Sequence, residues 1–373
     1  MASTILLVAT VIGTATAGQT ERDSGDANTA RAAADARRPP LLDRSAQPAP
    51  RAAKQLLLAA AYAGRRIVAV GQGGRVLLSD DDARTWRQAT YVPTSATLTG
   101  VSFADAHEGW AIGHLGVVLH TSDGGLTWQR QLDGIEAARA SLAAAEAAAR
   151  DTPSEAGTRA IRVAHVAVED GPDKPFLTLV VEDKRRVSVF GAYGMAYGTD
   201  DGGVTWTPID SRLVNPHGFH YYGIDLSASE LVLVGERGIV LRGPRNGRLA
   251  PVQVPYGGTF FGVIRASSTT LVAFGLQGTI IVSRDDGATW TRVNSGVTAS
   301  FQAGTVLRDG TIVIASDSGQ VVVSRSNGQR FDRLAAATEP AAALLPLADG
   351  AVLVLGTRGT QRLNVSENSE HSQ

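Results

Sequence analysis

The chain has 373 residues, a formal net charge of −1, a hydrophobic content of 43% and no cysteine. A near-neutral balance leaves no electrostatic footprint for nucleic acid. The missing cysteines exclude disulfides, thiolate metal sites and a cysteine nucleophile.

In chain order, Ile5 to Ala17 is an apolar and small-residue run closed by Ala15-Thr16-Ala17. That pattern predicts a cleaved export signal over residues 1–17, although a basic start is missing. The run is too short to span a bilayer. Residues 18–50 are polar and rich in Ala and Pro, and read as a flexible linker.

A repeat then begins. Its first element is G-x-x-G ahead of a β-type run: Gly71–Gly74, Gly113–Gly116, Gly191–Gly194, Gly235–Gly238, Gly275–Gly278 and Gly356–Gly359, with Ser316–Gly319 keeping one glycine. The last glycines are 40 to 44 residues apart, with one step of 78. A period of about 40–45 residues is that of a four-stranded propeller blade. The long step is one period plus an insertion.

The second element is [S/T]-x-D-x-[G/A]-x-T-W, in four copies ending at Trp86, Trp128, Trp206 and Trp290. Its aspartates are Asp81, Asp123, Asp201 and Asp285. A carboxylate there can accept N–H groups of its own turn. The Trp is long enough to wedge between neighbouring blades. The ligand spacing of a calcium loop is missing, so a structural reading is favoured. Residues 259–293 show the full unit: Thr259–Val263, Thr270–Phe274, Thr279–Ser283 and Thr289–Val293 are four short β-type runs split by Gly and Asp turns.

The insertion, residues 134–173, contains an Ala-rich run from Ile135 to Arg150, with Asp133 as cap and Pro153 as stop. It predicts one helix that packs Ile135 and Leu142 on a blade edge. The last unit has three β-type runs. A segment near Leu41–Ala49 is expected to supply its fourth strand and close the ring. Residues 366–373 read as a disordered tail. The predicted fold is an all-β, seven-bladed propeller over residues 51–365, with the helical insertion between blades 2 and 3.

Ligand sites in closed β architectures gather at the mouth. The strand 2–3 turns share a face with the blade-to-blade connections, opposite the Asp motifs. Candidate partner-binding residues there are His114, Tyr193, Glu236, Arg237, Gln277 and Arg358 at the turns. His217, His220, Tyr222, Tyr256 and Phe260 join them from the two aromatic connections. His217 and His220 lack obvious further ligands, so no metal or cofactor is expected.

With these motifs in hand, the chain resembles the Asp-box (BNR) repeat propellers. The nearest type is the photosystem II assembly and stability factors and their relatives in non-photosynthetic bacteria. Gly109–Gly116 and Thr121–Trp128 look like that type's repeat unit, and Asn215–Tyr222 and Thr259–Val263 look like the bacterial relatives, often encoded beside exporters. The resemblance implies a non-catalytic, lumenal or periplasmic scaffold that binds membrane-protein partners; a periplasmic or otherwise exported monomer that binds a protein of a membrane complex or exporter, with only indirect membrane contact, is expected. Arg237 and Arg358 are the nearest candidates for the arginine patch of the photosynthetic members. Sialidases also carry Asp boxes, so a glycoside hydrolase is the alternative, but its Arg-Ile-Pro signature is absent. G-x-S-x-G, P-loop and dinucleotide fingerprints are missing as well.

Overall fold

Seven antiparallel sheets follow one another along the chain: six have four strands and the last has three. The computed structural model describes residues 38–335 and 337–365. The expected export signal and tail lie outside these residues. Blade 1 runs from Leu57 to Gln88, blade 2 from Leu98 to Leu132, and blade 3 from Phe176 to Pro208. Blade 4 covers Tyr221–Pro251, blade 5 Phe260–Val293, blade 6 Phe301–Arg333 and blade 7 Ala341–Leu363.

The core is divided among the seams between blades. Strand two of each blade, and strand three of blades 1 to 6, are largely buried on both faces, which explains runs such as Ile67–Val70 and Ile312–Ala315. Seven apolar clusters result, one for each pair of adjacent blades. The seam of blades 2 and 3, for example, joins Trp110 and Ile112 to Phe176, Val187 and Val189. The seam of blades 7 and 1 joins Leu353 and Leu355 to Leu57, Ile67 and Leu77. The ring is therefore closed by side-chain packing.

The expected closing strand is not formed. Blade 7 keeps three strands among the described residues. Residues 39–50 instead lie along the outer edge of blades 1 and 2, with a short helix α1 (Pro40–Asp43) that buries Leu42 completely. The Leu41 carbonyl accepts from Ser95 N–H at 2.9 Å and Thr94 Oγ1 at 2.8 Å. Ala46 N–H reaches the Val92 carbonyl at 3.0 Å. Prolines at 39, 40, 48 and 50 remove the donors that a ladder needs. The flexible linker accordingly does not extend through this stretch.

The insertion is a helical hairpin rather than one helix: α2 (Gly134–Asp151) and α3 (Glu155–Asp170). The expected Asp133 cap forms, with Glu136 completing a capping box. Pro153 lies in the break, and Ser154 caps α3. Small residues, not Leu142, seat α2. Ala137 and Ala138 are buried, and the Tyr197 hydroxyl donates to the Ala137 carbonyl at 2.7 Å. Ile135 is half-buried against the blade 1–2 seam, and Leu142 is half-buried outside the seam clusters. Alanine lets the helix backbone approach the sheet more closely than leucine would.

Candidate partner-binding face

The two glycines of each G-x-x-G turn have different jobs. The first is extended, with φ between −157° and −176°, so its freedom of φ is not used. It is needed for close approach: a Cβ on Gly235 would lie 2.0 Å from the His220 carbonyl oxygen. The last glycine has positive φ and abuts the connection to the next blade. Gly238 meets the Tyr256 carbonyl in this way, and Gly278 meets that of Val297. These contacts put the strand 2–3 turns and the blade connections on one face. Strand 3 then carries the chain to the opposite end, where the Asp boxes sit.

The central carboxylate of each Asp box is satisfied within its own turn. In the second copy, Asp123 accepts from Thr121 Oγ1 at 2.8 Å, Thr127 N–H at 2.9 Å and Thr127 Oγ1 at 2.5 Å. The others repeat this pattern around Asp81, Asp201 and Asp285. The Thr85 hydroxyl and N–H hold the Asp81 carboxyl down at about 2. Burial pushes Asp285 up, but hydrogen bonds from Thr289 outweigh it and leave that carboxyl at about 2 as well. Trp128 is fully buried in the blade 1–2 seam, and its Nε1 donates to the Gly125 carbonyl at 3.0 Å. Trp290 does the same with Gly287, in the blade 4–5 seam. Trp206 packs in the blade 2–3 seam and Trp86 against the blade 7–1 seam.

A fifth, degenerate box was not read from the sequence. Ser324 Oγ accepts from Gly328 N–H at 3.0 Å, Ser326 Oγ accepts from Arg330 N–H at 3.1 Å, and Phe331 fills the place of the Trp. Serine and phenylalanine at those places hide the pattern from a motif keyed on Asp and Trp.

The opposite face carries strained side chains, three of them protruding, with Leu115 half-buried on the blade 1–2 seam. In blades 2 to 5 the third position of the turn is a non-glycine residue in the left-handed region: Leu115 (φ 60°), Tyr193 (57°), Arg237 (54°) and Gln277 (56°). Blade 1 has Gly73 there. Each non-glycine residue costs about 1–2 kcal/mol. Such strain points to a use for the side chain. Tyr193 is 63% exposed, and Arg237 and Gln277 are exposed as well.

From Tyr193 an aromatic row runs inward to the channel. Tyr193 lies 4.8 Å from His220 between ring centroids, His220 lies 6.2 Å from Tyr222, and Tyr222 lies 5.4 Å from Phe261. Lys174, at the foot of the insertion, caps the outer end 5.9 Å above Tyr193. Glu236 accepts from His220 N–H at 3.2 Å, which fixes the connection to the turn of blade 4. Asn215 binds the Tyr221 hydroxyl at 2.9 Å and both backbone groups of Phe219, and it shapes the loop that carries His217. His217 stacks on Phe219 at 5.2 Å, and the Arg237 guanidinium lies over the Phe219 ring at 6.0 Å. Burial first, and then the Glu236 charge, push the Tyr222 hydroxyl up, so it stays neutral at ordinary pH. Beside the row, a cavity of about 400 Å³ opens between blades 3 and 4, lined by Tyr193, Asn215, Tyr221 and Arg248.

The predicted residues divide accordingly. Tyr193, His220, Tyr222 and Glu236 come together. Tyr256 stands beside them on the blade 4–5 connection, its hydroxyl on the Leu276 carbonyl at 3.1 Å and Arg292 over its ring at 5.6 Å. His114 and Arg358 are exposed on the turns of blades 2 and 7, outside the row. Arg358 pairs with Glu339 at 3.0 Å. Phe260 is corrected: it is completely buried in the blade 4–5 seam and cannot meet a partner. The reason is a bulge just after the first residue of its strand, between Phe260 and Gly262, which turns Phe261 to the channel. Among the described residues no group of three or more His, Asp or Glu side chains could hold a metal ion.

Comparison with known proteins agrees with this architecture. Residues 78–149 match the family described as photosynthesis system II assembly factor YCF48. Over 48 residues the chain is 42% identical to the photosystem II assembly protein Ycf48 of Thermosynechococcus vestitus, a match covering 13% of this chain and 14% of that relative's length. Among solved structures, YCF48 bound to D1 peptide is similar with a TM-score of 0.61 at 18% identity, covering 86% of this chain and 96% of that one. YCF48 from Cyanidioschyzon merolae is similar at 0.61 and 16%, covering 85% and 97%. The WD40 propeller domain of Doa1 also reaches 0.61 at 10% identity, covering 89% and 99%. At these identities the structural likeness carries the fold alone. The repeat units and the family match bear out the resemblance read from the sequence, to the Ycf48-like BNR-repeat propellers.

Proposed function

We propose that this protein is an exported, periplasmic, non-catalytic scaffold that binds a polypeptide segment of a membrane-protein complex or exporter. The observation that carries the reading is the aromatic row Tyr193–His220–Tyr222–Phe261, on the face opposite the Asp boxes. Aromatic side chains dominate binding hot spots because they bury much area with little loss of freedom. The peptide carried by the structural relative YCF48 supports a polypeptide ligand. The run Ile5–Ala17 supports export. The glycosidase alternative gains nothing from the site. A tyrosine nucleophile is activated by an adjacent base or by a lowered pKa; the Tyr222 hydroxyl has only a long contact with His220 Nδ1 at 3.4 Å, and burial pushes its pKa up.

The test is retention of detergent-solubilised membrane proteins by the immobilised protein and by a Tyr193→Ala, Tyr222→Ala, Tyr256→Ala variant. A specific set held by the wild type and lost from the variant is expected. Equal retention by both contradicts the reading, and turnover of a fluorogenic sialoside by the purified protein would restore the enzyme.

A further inference from the structure

The inner strands of all seven blades break register at the same place. Each has its irregularity immediately after the residue that pairs with the end of strand two. A bulge re-aims one residue. Around the ring these residues are Leu58, Thr99, Leu177, Tyr222, Phe261, Gln302 and Ala342, all half-buried. They form the rim of the axial channel on the face of the aromatic row, and none of them is charged.

Below this rim, on the side of blades 3 to 7, lies a compartment of about 240 Å³. Its walls include Ile224, Ile264, Leu344 and Phe274, and no Asp, Glu, Lys, Arg or His lines it. Two glycines make room for its Phe274 wall. A Cβ on Gly262 would sit 2.4 Å from Phe274 Cζ, and one on Gly304 would sit 2.6 Å from Phe274 Cε1. The space that side chains at 262 and 304 would take is given to the Phe274 ring, which lines the compartment. An apolar cavity of about 150 Å³ already holds a benzene ring. The compartment opens to the channel and also carries Thr178, Tyr222 and Gln302; it is large enough for one branched aliphatic or aromatic side chain, and it holds no charged group that could pair with a charged one.

Resting on the scaffold reading, we propose that the channel is the anchor pocket of the binding face. An extended partner segment lies along Tyr193, His220 and Tyr222, and one uncharged, apolar side chain of that segment enters past Tyr222 and Phe261 to sit against Phe274. The row and the pocket are continuous, because Tyr222 and Phe261 belong to both.

The probe is a random displayed decapeptide library, selected on the immobilised full chain and on Gln302→Glu and Ala342→Trp variants. Gln302→Glu brings a carboxylate to the rim, and Ala342→Trp fills it. The wild type is expected to enrich sequences sharing one Leu, Ile, Met or Phe. Changing that residue to Asp, or using either variant, should weaken binding about tenfold in fluorescence anisotropy, as loss of a hot-spot contact does. The peptide-side change keeps the result independent of any folding defect in a variant. Enriched peptides without a shared apolar residue, or with affinity unchanged by both variants, overturn the pocket while leaving the scaffold standing. No enrichment at all overturns both.

Discussion

The Asp-box face and the G-x-x-G face use the same kind of tight turn to opposite ends. On the first, the central Asp of each box is bonded inside its own turn and the Trp packs on a seam, as Asp123 and Trp128 illustrate. On the second, left-handed backbone is occupied by Tyr193, Arg237 and Gln277, whose side chains stand out from the turn, and by Leu115, which is half-buried on the blade 1–2 seam. A turn whose groups satisfy one another can only hold the fold. A turn that keeps strain without internal contacts has side chains left for something else.

The largest test of this contrast removes an aromatic from each face. Trp128→Ala empties a fully buried site and should cost about 3–5 kcal/mol in denaturant unfolding. Tyr193→Ala, on an exposed tip, should stay within about 0.5 kcal/mol. Similar losses for the two would break the comparison.

Next come the turn bonds. Asp123→Ala leaves Thr127 N–H and two hydroxyls without their acceptor and should cost about 1–3 kcal/mol, read as a shift of the unfolding midpoint.

A smaller test uses strain on both faces. Ala83 takes the place of glycine in the first box, with φ 65°. Ala83→Gly relieves about 1–2 kcal/mol but removes a buried methyl worth about 0.8 kcal/mol. A net gain of about 0.5 kcal/mol is expected, as the difference of these terms. Tyr193→Gly gives up little packing and should gain about 1 kcal/mol while losing retention of partner proteins. Stability and binding would then move in opposite directions on one face only.

The smallest effect is on pH. The Asp81 and Asp285 carboxyls lie at about 2 in the folded protein, below the usual aspartate value near 3.9. A depressed carboxyl stabilises the fold fully above its unfolded pKa and loses that contribution as pH falls through the folded one. Thermal unfolding should therefore be flat above pH ~5 and fall between about pH 4 and pH 2. Asp81→Asn together with Asp285→Asn should flatten part of that fall.

Most of the fold was legible because its signals are local. A 40-residue period, the paired glycines and the Asp boxes each depend on residues adjacent in sequence. What was missed depends on contacts between distant segments. The second insertion helix carries a stripe of Ile161, Ala164 and Val168, but Pro153 ends the first helix ahead of it, and Val163 and Val166 beside the stripe are exposed. The closing segment carries enough apolar residues for a strand, but its prolines and the pocket for Leu42 send it elsewhere. At the candidate site, the aromatic connections were readable as a cluster. Which member of Phe260-Phe261 faces the channel was not, because a bulge reverses the alternation of a regular strand.

Photo-crosslinking from the two faces in intact cells tests the account most directly. A benzophenone amino acid would replace Tyr193 on one face and the exposed Arg84, in the first Asp box, on the other. The account predicts discrete polypeptide adducts from position 193 and none from position 84. Adducts from position 84 with none from position 193 would contradict it.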